Sequence, residues 1–210
     1  MKPRGNGRGD SRELLPMGAA MTETLVFAFH DDMLYAFQRT DTYSASVFGG
    51  PSRATVDGIA FGPKPLHLIA RLGARHLPPL NNHCLFDLPL IYGMYYGGCR
   101  LSYRVHYGHH VELLHIAGSA PHDECRDFPA LLPYIPLQPD GAPQPASYNE
   151  FAARFPNMPA RQRAEMIIAV PPPASIGLSL WGDYGDGGGV TIVFECDLKN
   201  RTVSASNVTS

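Results

Sequence analysis

The chain has 210 residues, of which 44% are hydrophobic and 17% are charged, and its formal net charge is -2. This length allows one large domain or two small ones with a real core, and the hydrophobic content is that of a soluble globular protein. The near-neutral charge excludes the strongly basic composition of proteins that bind nucleic acid or an anionic membrane, so we expect neither partner.

The composition also indicates a β-rich fold in a reducing compartment. The chain contains 21 Gly and 20 Pro, which predict many turns and short strands. No apolar run approaches the roughly 20 residues needed to cross a bilayer, and the basic N-terminus has no apolar signal segment. The cysteines form neither a CxxC pair nor a dense disulfide framework, so we expect free thiols in a cytoplasmic protein. They are Cys84, Cys99, Cys125 and Cys196.

In chain order, residues 1–20 predict a flexible tail, because Gly, Arg and Pro dominate them, and residues 21–210 predict a single domain. Apolar residues 25–29 and 33–37 flank a polar loop and predict a β-hairpin. Residues 66–72 predict a buried strand that ends before two prolines. Three β-type segments between residues 85 and 117 then favour an antiparallel meander.

The second half of the chain contains a proline-rich segment and two patterns that predict helices. Seven prolines within residues 118–146 exclude a regular helix and most central strands, so this segment predicts a loop or linker. Ser147 and Glu150 have the spacing of a capping box at the start of a first helix. Pro159 is placed to open a second one that three prolines end at residue 171. The fold class expected is therefore α+β, with mostly antiparallel sheet and two short helices near residues 147–169.

Residues 178–198 form the most structured motif of the sequence. Apolar residues alternate on both sides of a run of Gly and Asp, which predicts a β-hairpin with a chemically specified turn. Trp181, the only tryptophan, lies at the mouth of this turn. The last residues are polar and predict at most a short edge strand.

Four sequence blocks resemble the YwqG-like family, a bacterial group of largely unassigned function. The blocks are SVFGG at residues 46–50, PLHLIARL at 65–72, LPPL at 77–80 and LWGD at 180–183, the last followed by an apolar strand. Their order runs over most of residues 46–198. The resemblance implies a sheet-dominated α+β domain without established catalytic residues, and some members of the family look like immunity proteins encoded beside secreted toxins.

The candidate binding residues are aromatic and acidic side chains of the meander and of the C-terminal turn. Tyr and Trp suit binding because they bury a large area with few rotatable bonds. The alternatives are that half of the aromatic side chains pack the sheet, and that the turn acids bond local backbone or bind calcium. The candidates are Trp181, Asp183, Tyr184, Asp186, Tyr95 and Tyr103.

A histidine cluster offers the alternative of metal chemistry. If residues 108–110 form a turn, His106 lies opposite Glu112, so that imidazole and carboxylate can orient each other. The competing interpretation is a set of solvent-facing turn histidines, because the spacing fits no established zinc motif. The metal candidates are His106, His109, His110 and His115.

We therefore expect a non-catalytic cytoplasmic binding protein without a cofactor, whose partner is a protein toxin that it neutralises. The alternative is a metal-dependent enzyme that uses the region from His106 to His122.

Overall fold

The structure is a computed structural model that describes most of the chain. It describes residues 23–51, 55–58, 66–93, 99–107, 110–118, 132–159, 164–173 and 190–209. In these ranges the chain forms thirteen β-strands, one α-helix and one 3-10 helix. The strands are β1 (Thr24–His30), β2 (Met33–Arg39), β3 (Ser46–Phe48), β4 (Thr55–Gly58), β5 (His67–Gly73), β6 (Asp87–Tyr92), β7 (Cys99–Val105), β8 (His110–Gly118), β9 (Ile135–Pro139), β10 (Gln144–Pro145), β11 (Met166–Val170), β12 (Val190–Asp197) and β13 (Thr202–Thr209); the helices are α1 (Tyr148–Ala152) and the 3-10 helix Pro78–His83.

All of these strands belong to one curled sheet, shaped like half a barrel. The strand order is β4-β8-β7-β13-β12-β11-β1-β2-β9-β3-β5-β6, and β10 pairs with β2. Neighbours are antiparallel except β4 and β8, which are parallel. The protein is therefore β-rich and mostly antiparallel, as its composition predicts.

The inner face of the curled sheet holds the main hydrophobic core. The curl brings β6, at one end of the strand order, against β7, near the other end. Tyr103 on β7 donates its hydroxyl to the Pro89 carbonyl at 2.8 Å and accepts from the Ile91 N–H at 3.1 Å. Fully buried side chains from most strands fill the space between, and each contributes about 1.5–3 kcal/mol to folding. Among them are Phe37, Phe48, Leu72, Met166 and Phe194.

A second, smaller core lies on the outer face beneath α1. The predicted capping box is confirmed, because the Ser147 N–H donates to Glu150 Oε2 at 2.7 Å and Ser147 Oγ accepts from the Glu150 N–H at 3.3 Å. Phe151 of this helix stacks on Phe29 of β1, with ring centroids 5.4 Å apart. A five-residue helix is not stable alone, so this packing keeps it in place.

Several local predictions are confirmed. The first hairpin is β1 and β2, and its two-residue loop has positive φ at both Asp31 and Asp32, the turn that matches the strand twist. The buried strand predicted at residues 66–72 is β5. The three segments of the expected meander are strands β6, β7 and β8. Only β7 and β8 pair with each other, however, because β6 pairs with β5 instead.

The second predicted helix is wrong. Residues Met166–Val170 form β11, a central strand between β1 and β12 whose five side chains are all buried. An apolar run flanked by prolines fits a strand buried on both faces as well as a helix, and here Ile167 and Ala169 meet the α1 layer while their neighbours enter the inner core. Burial on two faces therefore selects the strand.

The structure describes only the second strand of the predicted C-terminal hairpin. This strand exists as β12, whereas residues 178–189 lie outside the described part of the chain. Over Ile192–Cys196, β12 is bonded to β11 on one edge and to β13 on the other. Residues 191–194 are all buried, so β12 is buried on both faces and not half-buried as predicted. The final polar segment is likewise no edge strand, since β13 lies between β12 and β7.

The proline-rich segment also contributes a central strand, against expectation. Strand β9 contains Pro136 and Pro139, yet lies between β2 and β3. Pro139 pairs with β2 but lies beyond the last residue paired with β3. Pro136 pairs with β3, and on the β2 side its carbonyl accepts from the Thr40 N–H at 3.0 Å without a return bond. Prolines placed so that no ladder bond needs their missing N–H can occupy an interior strand.

Candidate functional site

Five of the six predicted binding residues lie outside the described part of the chain: Trp181, Asp183, Tyr184, Asp186 and Tyr95. The sixth, Tyr103, is completely buried in the inner core. Burial raises the pKa of its hydroxyl well above the usual value, so the group remains a proton donor to Pro89. The prediction of Tyr103 as a binding residue is therefore wrong; its role is to join β7 to β6.

Among the described residues, the fold places two of the candidate metal-binding histidines, His106 and His110, in contact. His106 Nε2 lies 3.0 Å from Glu112 Oε2, so the predicted contact of imidazole and carboxylate is present. The predicted register is wrong, however, because Glu112 lies opposite Arg104, whose Nη1 is 3.3 Å from the same oxygen. His110 stacks on His106 with ring centroids 5.1 Å apart, and such parallel rings do not direct their nitrogens at a common point.

His115 lies farther along β8, opposite Ser102 in the strand register. His109 lies outside the described residues. Within the residues that the structure describes, no group of three His, Cys, Asp or Glu could hold a metal ion. The metal-dependent enzyme stays a prediction. This hypothesis predicts that the purified protein contains a stoichiometric amount of a transition metal. Elemental analysis measures this metal content.

The outer face of the sheet carries a polar groove beside the helix-covered part. It has a volume of about 890 Å³ and crosses strands β8, β7, β13 and β12, with Pro159 at its rim. We call this cavity the outer groove. The rim is held by Tyr148, whose hydroxyl donates to the Pro159 carbonyl at 2.6 Å. The polar side chains that line it are Arg100, Ser102, His115, Glu195, Ser204, Ser206 and Asn207.

The strand register places four of these side chains in one row across the sheet. His115 pairs with Ser102, Ser102 with Ser204, and Ser204 with Glu195. Adjacent strands lie about 4.7–4.9 Å apart, so the row from His115 to Glu195 spans roughly 14 Å. Two hydroxyls thus lie between an imidazole at one end and a carboxylate at the other.

A second row, one step along the strands, adds a positive charge. Arg100 precedes Leu101, which pairs with Ala205, so it lies beside Ser206 on the next strand. The groove is therefore basic on its β7 side and acidic at Glu195 on β12. The Glu195 charge acts on Tyr148 at the rim, whose pKa is raised by burial and then by this carboxylate.

The groove contains serines and a thiol, the side chains that nucleophilic chemistry uses. Within the described residues, no hydrogen bond joins His115 to Ser102 or Ser204, so this imidazole activates neither serine. Cys99, the thiol that lines the groove, is buried, and this burial raises its pKa to about 11. A thiol in that state is a poor nucleophile at neutral pH.

Sequence reasoning missed most of the groove residues. The period-two pattern of β7 does separate buried Leu101 from outward Ser102, and this signal was available. What it could not show is the neighbour of β7. The pairing of Ser102 with Ser204 joins positions about a hundred residues apart, and only the folded sheet provides it.

Comparison with known proteins gives no match of this chain to a family model, to a curated protein or to a solved structure.

In the described part of the chain, no helix is long and apolar enough to cross a membrane.

Proposed function

We propose that this protein is a non-catalytic binding protein and that the outer groove is the surface to which its partner binds. The observation that supports this proposal is the state of the seven polar side chains that line the groove. Within the described residues, six of them bond to no other side chain, and the seventh, Asn207, accepts from the Tyr92 hydroxyl at 2.9 Å. Donors and acceptors held apart in this way are available to the complementary groups of a partner.

The charge pattern indicates the partner's chemistry. Arg100 and Glu195 lie two strands apart and two residues apart along the strands, so their attachment points are separated by roughly 12 Å. A protein segment that carries an acidic and a basic side chain at this separation pairs with both, whereas a singly charged ligand meets one attraction and one repulsion. The resemblance to the YwqG-like family points to a toxin as this protein partner, which the bound protein would block.

The test is binding to the product of a toxin gene encoded beside the gene for this protein. We expect a complex by size-exclusion chromatography and a dissociation constant measurable by calorimetry. Arg100→Glu and Glu195→Lys should each weaken binding by at least about tenfold, because each places like charges against each other. The intact masses of both proteins, recovered from the complex, should be unchanged.

Arg39→Glu is the matched control, since Arg39 is an exposed arginine on β2 that does not line the groove. All three substitutions should leave the unfolding free energy within about 0.5 kcal/mol of the wild type, as surface changes usually do. The proposal fails if no complex forms, or if both groove variants bind as tightly as the Arg39 variant.

A further inference from the structure

A second, smaller cavity lies where β2 and the end of β9 meet the turn after β5, and it shares no lining residue with the outer groove. Its volume is about 200 Å³, below the range of roughly 300–1,000 Å³ typical of drug-sized ligands, so it suits a small molecule or a single side chain. Three separate chain segments build it: β2, the turn after β5 and the turn after β9. We call it the end pocket, and its lining includes Tyr35, Arg75, His76, Pro78, Pro139 and Pro143.

The tautomer of His76 follows from its hydrogen bonds. Ser46 Oγ accepts from the Gly73 N–H at 3.0 Å and lies 3.0 Å from His76 Nδ1. Ser46 is fully buried, and among the described residues its hydroxyl proton has no other acceptor than this nitrogen. A buried hydroxyl that donates nowhere is costly, so Ser46 donates to Nδ1 and the proton of the neutral ring resides on Nε2.

The electrostatic surroundings agree with a neutral ring. Burial, and secondly the charge of Arg75, lower the pKa of His76. Protonation of Nδ1 would also remove the acceptor that the Ser46 hydroxyl uses. His76 therefore presents a fixed Nε2–H donor on the side of the ring that Ser46 leaves free, and that ring lines the pocket.

The other polar groups of the pocket are donors as well. Tyr35 has a raised pKa, first through burial and second through the Asp31 carboxylate, so its hydroxyl stays protonated. Asp31 itself pairs with His30, whose Nε2 lies 3.2 Å from Asp31 Oδ2. Arg75 adds a permanent positive charge, and three prolines supply apolar walls.

We propose that the end pocket binds a small monocarboxylate. Its two oxygens accept from His76 Nε2–H, from the Arg75 guanidinium and from the Tyr35 hydroxyl, while its apolar part packs on Pro78, Pro139 and Pro143. Hydrogen bonds between a charged acceptor and fixed donors are stronger than neutral ones, which suits a site this small. The site is independent of the outer groove, so a failure here leaves the proposed partner binding untouched.

The test is a titration of the full-length protein with butyrate and benzoate, followed by amide and imidazole nitrogen NMR. We expect saturable shifts at Tyr35 and His76 below about 50 mM ligand, and none with the matched amides, butyramide and benzamide. A short peptide with a free C-terminus, compared with its C-terminal amide, distinguishes a chain terminus from a free acid. The His76 ring nitrogens should show the neutral Nε2–H tautomer before ligand is added.

Two matched variants decide the outcome. Arg75→Gln removes the charge of an exposed side chain and should weaken carboxylate binding by at least about tenfold, whereas Arg39→Gln, at another exposed arginine, should not. The inference is overturned if the carboxylates cause no saturable shift, if the amides bind as well as the acids, or if Arg75→Gln binds as tightly as wild type.

Discussion

Tyr103 and Pro89 lie on strands far apart in the sheet order, yet the Tyr103 hydroxyl donates to the Pro89 carbonyl at 2.8 Å. The same oxygen accepts from the Ile91 N–H. One buried phenol therefore satisfies two backbone groups of β6 that no strand in the described part of the chain satisfies at this position. It joins the two ends of the curled sheet across the inner core.

Tyr103→Phe should lower the unfolding free energy by about 1–3 kcal/mol, because it leaves a buried donor and a buried acceptor unpaired. Denaturant unfolding measures this loss. Tyr107→Phe is the control, because Tyr107 is exposed and its hydroxyl accepts from Arg201 at the surface. This substitution should change the unfolding free energy by no more than about 0.5 kcal/mol. Equal losses in the two variants would contradict the bridging role of Tyr103.

Gly49 should not tolerate a side chain. Its φ is +63°, and a Cβ would lie 2.3 Å from the Pro133 carbonyl oxygen and 2.8 Å from Leu132 Cβ. Gly49→Ala should therefore cost at least about 3 kcal/mol, from the left-handed backbone and the clash together.

Gly141→Ala separates the two causes. Gly141 has a φ of +77°, but a Cβ added there would meet nothing within 4 Å, so only the backbone cost of about 1–2 kcal/mol should remain. Thermal or denaturant unfolding of both variants tests this difference. A Gly49 variant no less stable than the Gly141 variant would show that the Pro133 segment moves aside freely.

The cysteines should differ sharply in reactivity. Burial raises the pKa of Cys99 to about 11 and that of Cys196 further, while Cys84 is exposed. At pH 8 the thiolate fraction of Cys99 is therefore about one in a thousand. In a Cys125→Ser variant we expect one thiol to react quickly with a disulfide reagent in the native protein and three after unfolding. Two or three fast thiols in the native state would contradict this packing.

Acid should destabilise the protein through two carboxylates at turns. The Ser147 N–H and hydroxyl lower the pKa of Glu150, and the Asn200 backbone and side-chain N–H groups lower that of Asp197. A folded pKa below the unfolded one adds stability above the unfolded value, and this stability is lost as the pH falls through the folded value. The unfolding free energy should thus fall from about pH 4.5 downward.

Glu150→Gln keeps the capping hydrogen bonds but removes the titration, and Asp197→Asn removes the other titrating group. Each variant should show a shallower fall of the unfolding free energy between about pH 5 and pH 3. Unfolding in denaturant across this interval gives the slope. A slope identical to that of the wild type in both variants would exclude these carboxylates as its source.

The sequence alone determined the features that depend on neighbouring residues. The β1–β2 hairpin, the capping box of Ser147 with Glu150 and the side-chain contact of His106 with Glu112 all follow from spacings of a few positions. Period-two alternation also agrees with the burial of β7, whose Leu101, Tyr103 and Val105 enter the core, although Tyr103 is among the predicted binding residues. Such patterns work because turn chemistry and strand alternation are local properties of the chain.

Only the tertiary structure decided which strands are neighbours. It placed β13 beside β7, inserted the proline-containing β9 between β2 and β3, and made residues 166–170 a strand. The outer groove depends on these pairings, because His115, Ser102, Ser204 and Glu195 come from four different strands. The alternating pattern of a strand predicts which face of the sheet each side chain lies on, but not which strand is its neighbour. The neighbouring strand depends on how the whole sheet buries its apolar side chains.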